Sequence, residues 1–289
     1  MRFDRILAVD WSAANAPKRG KDSIWIAEAR GPEAVTSVNI ATRDAAMTMI
    51  RQACRDALKT GERMLVGFDF PFGYPAGTAR HLASEDSWEA LWAMLARMVE
   101  DGPDNRSNRF ELAARLNQFL PDWPRFWGHP HGRTYSGLTP TKPRDLANGL
   151  RERRIVEAMV RSAKPVWQMS YTGSVGSQAL LGIARLEALR NDPALKGAVA
   201  VWPFETGFAA NLDRPIILAE IYPSLYPVPK ISGAIKDRQQ VEMVASRFAA
   251  ADRDGSLLAL LGEPAGLSPA ERSAVLDEEG WIVGVGSMC

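Results

Sequence analysis

The sequence predicts an α/β fold, a mixed β-sheet flanked by helices, in a single domain over residues 1–289 with a mainly helical insertion at 71–165. Three observations predict it. Alternating runs give way to an 18-residue helical period that leads into a near-continuous apolar strand, the signature of a crossover unit. Apolar runs climb to a carboxylate three times, at "ILAVD", "LVGFD" and "IILAE". A length of 289 residues with 46% hydrophobic and 24% charged residues suits one sizeable core.

The elements follow in order. Arg5–Asp10 reads as a buried strand. Ser23–Ala29 and Ala34–Ile40 alternate apolar and polar residues and read as two more, joined by a Gly31-Pro32 turn. Ala16–Asp22 is a basic turn between the first two. Short links predict an antiparallel meander. Thr42 caps the helix that follows, Ala46, Met49, Ile50, Ala53, Ala57 and Leu58 share one face, and Gly61 ends it. Met64–Phe70 then returns as a strand parallel to the first.

Within 71–165, Trp88, Leu91, Trp92, Leu95, Met98 and Val99 make a core-facing helical stripe. The stretches 101–109 and 120–145 are loops rich in Pro, Gly, Trp and Arg, placed over the carboxyl ends of the strands, and Leu150–Val160 reads as a helix with a charged start. Gly173–Arg190 is a Gly/Ser loop opening a helix. Ala198–Glu205 and Pro215–Pro223 read as strands, and Lys236–Asp252 as a helix with Val241, Val244, Ala245, Phe248 and Ala249 inward.

Composition excludes several classes. A net charge of +1 rules out a polycation, so any nucleic acid must meet a local patch. The two cysteines, Cys54 and Cys289, form no Cys-x-x-Cys pair and sit near no histidine at ligand spacing, which argues against zinc and iron–sulfur sites. The first residues lack a signal-peptide pattern and no run is long enough to span a bilayer, so a cytoplasmic setting is expected.

The strand-end acids carry the chemistry. Asp10, Asp69 and Glu220 each close an apolar run, and ligands of open α/β sheets collect beyond such ends. One such acid reads equally as a turn cap. Three converging ones repel unless a cation lies between them, and hard oxygen donors suit Mg²⁺ or Mn²⁺. Such ions support phosphoryl transfer.

The strand–strand–strand–helix–strand order, with acids on the first and fourth strands, resembles the ribonuclease H-like fold. The strings "VDWSAAN", "GFDFPFG", "GSVGSQALLGIARLEALR", "VAVWPFE", "AEIYPSLYPV", "KDR" and "EEGWIVGV", spanning Ile6 to Val285, resemble the DUF429 family of predicted nucleases. The resemblance implies a metal-dependent nuclease or phosphoryl-transfer hydrolase with Asp10, Asp69 and Glu220 as catalytic acids and metal ligands. It implies a fourth acid on a late helix, for which Asp237 is preferred to Glu242. It departs at Ser224, where many members carry a second glutamate. Asp277, Glu278 and Glu279 read instead as a solvated helix end.

Further features bear on partners, either nucleic acid or a nucleotide-like small molecule. Thr172–Gln178 puts Gly and Ser at a helix start, where free N–H groups favour anions. Lys142, Arg144, Arg151, Arg153 and Arg154 form a basic cluster, read chiefly as a solvated face balanced by Asp145, Glu152 and Glu157. His129 and His131 read as structural. Two alternatives stand beside the nuclease: a non-catalytic accessory protein of cofactor biosynthesis, such as that of molybdopterin or cobalamin, and an actin-like ATPase or kinase. The second lacks both a glycine-rich turn after the first strand and a duplicated strand series.

Overall fold

The computed structural model describes residues 2–31, 34–121, 124–143 and 149–287. Pro32 of the expected turn, Arg144 and Asp145 of the basic cluster, and Cys289 lie outside them. Six strands form one mixed sheet: β1 (Arg5–Asp10), β2 (Ile24–Arg30), β3 (Thr36–Ile40), β4 (Met64–Phe68), β5 (Val199–Val201) and β6 (Ile216–Glu220). Their spatial order is β3-β2-β1-β4-β6-β5. The first three pair antiparallel, and β4, β6 and β5 all run parallel to β1. The meander and the crossover are as the sequence predicts. The two later strands are shorter than expected, because the chain turns at Trp202-Pro203 and again at Tyr222-Pro223.

Strand parity sorts the core into two layers. Leu7, Val9, Met64, Val66 and Phe68 face one side. There they meet α1 (Arg43–Thr60), α3 (Trp88–Met98), α4 (Arg109–Asn117) and α6 (Gly176–Arg190). Ile6, Ala8, Leu65, Ile217 and Ala219 face the other side, against α7 (Lys236–Asp254), α8 (Leu257–Leu260) and the apolar stretch Trp281–Val285. Every central strand is covered on both faces, which is why β1, β4 and β6 read as continuous apolar runs.

Helix α1 begins where Thr42 Oγ1 accepts the Ala45 N–H, 3.2 Å, and stops at Gly61, whose φ of 72° only glycine adopts cheaply. Among its described residues, segment 71–165 holds four helices: α2 (Thr78–Ala83), α3, α4 and α5 (Ile155–Met159). Helix α3 packs on α6 and belongs to the main core. Residues 101–109 reach the turn after β1, where the buried Arg43 ties both together. Its guanidinium bonds Asp101 at 2.5 Å, the Ser12 and Ala14 carbonyls at 3.1 and 2.8 Å, and the Asn105 carbonyl at 2.8 Å. The expected helix at 150–160 shrinks to α5, because Arg154 turns inward. No helix among the described residues is long and apolar enough to cross a membrane.

Four rings pack beneath the strand ends. Trp11 lies 5.8 Å from Phe70, and Phe70 lies 5.6 Å from Phe68 and 5.5 Å from Phe72. Helix α6 presses on them at Gly182, where an added Cβ would stand 2.3 Å from the Phe70 ring. Alanine there gains about 1 kcal/mol of helix propensity. Overpacking costs about 1–3 kcal/mol, and here it wins because Phe70 is hemmed in by the other rings. Gly182→Ala is therefore expected to lower stability by about 1 kcal/mol in urea unfolding, and Gly182→Val by more.

Candidate active site

Val9 pairs with Phe68 across the parallel β1–β4 ladder, and the Asp69 N–H continues it to the Val9 carbonyl at 2.9 Å. Asp10 and Asp69 are therefore neighbours one step further on. By parity both point to the α7 side, while Trp11, Phe68 and Phe70 point to the other. The two carboxylates form the floor of a cavity of about 310 Å³. Asp237, in the first turn of α7, borders the same cavity, and its Oδ2 accepts the Asp22 N–H at 2.7 Å. Lys164, Ser224 and the Gly173–Val175 turn complete the wall. The Gly/Ser stretch predicted to favour anions thus opens onto the acids. Helix α6 begins there with no side-chain cap, and Gln178 Nε2 donates to the Trp11 carbonyl at 2.5 Å.

The electrostatics follow from this packing. Burial raises the Asp10 carboxyl well above the usual range, the Asp69 charge raises it further, Asp237 and Asp22 add smaller amounts, and Lys236 opposes them. Asp69 is pushed up to about 7 by burial, then by Glu220 and Asp237. Among the described residues neither acid meets a Lys, Arg or His within ion-pair distance. No group of three or more His, Cys, Asp and Glu side chains among those residues is closed into a ready metal cage.

Glu220 stands apart from this cavity. It pairs in register with Phe68, not with Asp69, and together with Asp69, Arg154 and Glu157 it lines an adjoining pocket, near enough for its charge to raise Asp69. There it is 2% exposed and fully engaged. Arg154 grips it with two bonds of 2.5 and 2.7 Å, and the Phe72 N–H donates to it at 3.0 Å. Arg154 also bonds Glu157 at 2.9 Å. Burial works against the guanidinium charge, but Glu220 and Glu157 more than restore it and hold Arg154 protonated. The acid expected at the end of β6 thus lies beside Asp69, but Arg154 binds it and it does not line the cavity above Asp10.

Other candidates also settle into place. Glu242 is held by Ser37 and Arg238, which leaves Asp237 as the α7 acid on the cavity. Glu278 and Glu279 are buried, contrary to the solvated helix end expected. Glu278 accepts the Gly77 and Ala79 N–H groups at 2.8 and 3.0 Å, and Glu279 those of Ala76 and Ile155 at 2.9 and 2.6 Å. Gly73 permits this approach, since a Cβ there would stand 2.1 Å from the Glu278 carbonyl. The described members of the basic cluster have partners: Lys142 pairs with Glu152, Arg151 with Glu279, and Arg153 bonds the Glu157 and Ala163 carbonyls. His129 is buried against Tyr135 at 5.6 Å and His131 lies 5.8 Å from Tyr171; neither borders the acid cavity. Burial pushes the Cys54 thiol up to about 12, which leaves it inert at neutral pH. The sequence reading missed Lys164 and Gln178, which reach the cavity only through tertiary packing.

No family model, curated protein or solved structure matches the chain. The site's own chemistry therefore carries the functional reading.

Two outcomes follow from the charges. Glu220→Gln leaves Arg154 short of a buried counter-charge and is expected to cost about 3–5 kcal/mol, read as a large drop in melting temperature. Asp69 holds its proton more tightly folded than unfolded, so the native state binds more protons between the ordinary carboxylate value of 3.8 and about 7. The stability it lends is full below 3.8 and is lost as pH rises through about 7. Urea unfolding of wild type with EDTA should show this fall, and Asp69→Asn should flatten it.

Proposed function

We propose that the chain is a metal-dependent phosphodiester hydrolase of ribonuclease H-like type, a nuclease related to the DUF429 group. Asp10 and Asp69 hold Mg²⁺ or Mn²⁺, and Asp237 faces them as a third acid. One observation carries this reading. Two carboxylates are forced side by side at the ends of adjacent parallel strands, with raised proton affinity, no cation within ion-pair distance among the described residues and an open cavity above them. Such an arrangement is costly as it stands and suits a cation. The mixed sheet, with its meander and first-strand acid beside the fourth-strand acid, supports the ribonuclease H-like assignment.

The donor set fits the ion. Mg²⁺ is commonly held by one or two carboxylates together with waters and substrate phosphates, so a closed three-ligand cage is not required. When bound, the cation supplies positive charge against the charge that develops on a phosphodiester under attack.

The remaining work falls to the chain. Asp69 gives up the proton it retains near neutrality as the cation binds, and Asp10, also raised, adds to the same dependence, so binding strengthens as pH rises through about 7. Asp237 is held toward the cavity by the Asp22 amide. Lys164, on the wall, offers positive charge to a phosphate. Glu220 is a positioning residue: by fixing the Phe72 N–H and Arg154 it sets the turn that carries Asp69.

The test is a set of melting curves and a cleavage assay. At Mn²⁺ a hundredfold above its dissociation constant, a native-state site adds about 2.7 kcal/mol. Wild type is expected to melt several degrees higher with millimolar Mn²⁺ and to cut labelled oligonucleotides only with metal. Asp10→Asn should lose both responses and, metal-free, melt at or above wild type, since one repelling charge is gone. A wild type indifferent to Mn²⁺, or a variant that shifts equally, overturns the reading.

A further inference from the structure

The cavity above Asp10 and Asp69 does not stand alone. On one side it shares Ser12, Asp22, Ser174 and Gln178 with a second compartment of about 320 Å³. On the other it shares Ser224 with a third of about 490 Å³. The acid cavity thus adjoins both of the others, through different parts of its wall. Each matches the roughly 300–1,000 Å³ that one compact ligand fills, so three adjoining ones suit a chain of linked units.

The flanking compartments carry the opposite charge to the floor. The first holds Arg109, together with Lys18 paired to Asp22 at 3.6 Å, and the third holds Lys230 and Lys236. Arg109 is the telling residue. It is 8% exposed, yet among the described residues no carboxylate lies within ion-pair distance of it. Neutral groups hold it instead: Asn15 Oδ1 and Ser107 Oγ, each at 2.8 Å. Its Nε–H has no partner, and its guanidinium lies 4.5 Å over the Phe110 ring. Burial, with Arg43 nearby, pulls it down to about 10, against weaker support from Tyr135, Glu111 and Asp101. A buried guanidinium without a counter-ion is expensive, and a phosphate supplies the missing charge.

Aromatic faces accompany the cations. Tyr171, 40% exposed, borders the Arg109 compartment, and Tyr226, with Arg247 4.7 Å over one face of its ring, borders the other. Cations spaced along a groove with rings between them are how proteins take a single strand, holding phosphates and stacking bases. A duplex keeps its bases stacked inside and offers these rings nothing.

We propose that the three compartments form one groove for a single-stranded nucleic acid, with Arg109 binding a backbone phosphate to one side of the acids and Lys230 and Lys236 following the strand on the other. This rests on the hydrolase reading for what happens at the acids, but the groove is testable without it. A strand that passes through on both sides would be cut internally.

The test is fluorescence anisotropy in EDTA, so nothing is cut, with labelled 12-nucleotide DNA and RNA strands, a 12-base-pair duplex, and a mononucleotide as competitor. The single strand is expected to bind at least about tenfold tighter than the duplex, and the mononucleotide to compete poorly. Arg109→Gln should weaken strand binding about tenfold and lower the salt slope by about 0.7, with Arg109→Lys partly restoring both. Should Arg109→Gln not fold, Lys230→Ala/Lys236→Ala, on the exposed side, should lower the slope by about 1.4. Equal binding of duplex, full competition by the mononucleotide, no strand binding, or unchanged slopes in these variants each overturn the groove. Repeating the assay with Mn²⁺ separates the two ideas. Strand binding without metal-dependent cleavage keeps the groove and removes the hydrolase. Cleavage with no preference for single strands does the reverse. The DNA and RNA arms show which sugar the groove accepts.

Discussion

The parallel register of β1 and β4 is the constraint around which the molecule is built. Once Val9 stands opposite Phe68, the next residues, Asp10 and Asp69, must emerge side by side on one face. The same register sends Trp11, Phe68 and Phe70 to the opposite face, where they stack into a dry floor. Two like charges are thereby set against a low-dielectric layer, the condition under which carboxylates resist joint ionisation. Helix α7, lying across β1 and β2, then brings Asp237 to the rim. The loops after β1 and before α6 close the sides.

The protein treats its other buried acids in a different way. Glu220, Glu157 and Glu279 each find a guanidinium or several backbone N–H donors. Glu278 takes backbone donors alone. These groups are satisfied and hold the turn after β4 against α5 and the Val275–Glu279 turn. Arg43 does the same for the turn after β1, anchoring it to 101–105. The contrast sharpens the meaning of Asp10 and Asp69: in a chain that pairs its buried acids with care, these two are left facing space.

Much of the framework was legible in the sequence because it is local. The alternation of β2 and β3, the cap at Thr42, the stop at Gly61 and the stripe of α3 all lie within short windows. Asp10, Asp69 and Asp237 were legible as strand-end and helix-start acids. Glu220 was legible as a strand-end acid too, but its capture by Arg154 was not, because that partner lies 66 residues earlier in the chain. Glu278 and Glu279 gave no signal at all, since a pair of acids near a helix end is ordinarily solvated. Helix α4 was hidden by the loop before it, and Arg109 by its place at that junction. The 71–165 segment holds more loop than helix, because its short helices lean on distant residues for their first turns.

That dependence has a consequence for how the molecule assembles. Glu278 and Glu279 satisfy N–H groups at 76–79 about two hundred residues earlier in the chain. As the chain emerges from the ribosome, α2 and the start of α5 must wait for residues 278–279 before their amides are answered. The final closure is a long-range event of high contact order, and such closures slow folding. It also removes any seam along which the segment could come away, since the 278–279 turn is pinned to it and the Trp281–Val285 stretch beside that turn is packed under the sheet. Loosening either end should release both, so the chain is expected to behave as a single cooperative unit rather than a domain with a detachable cover.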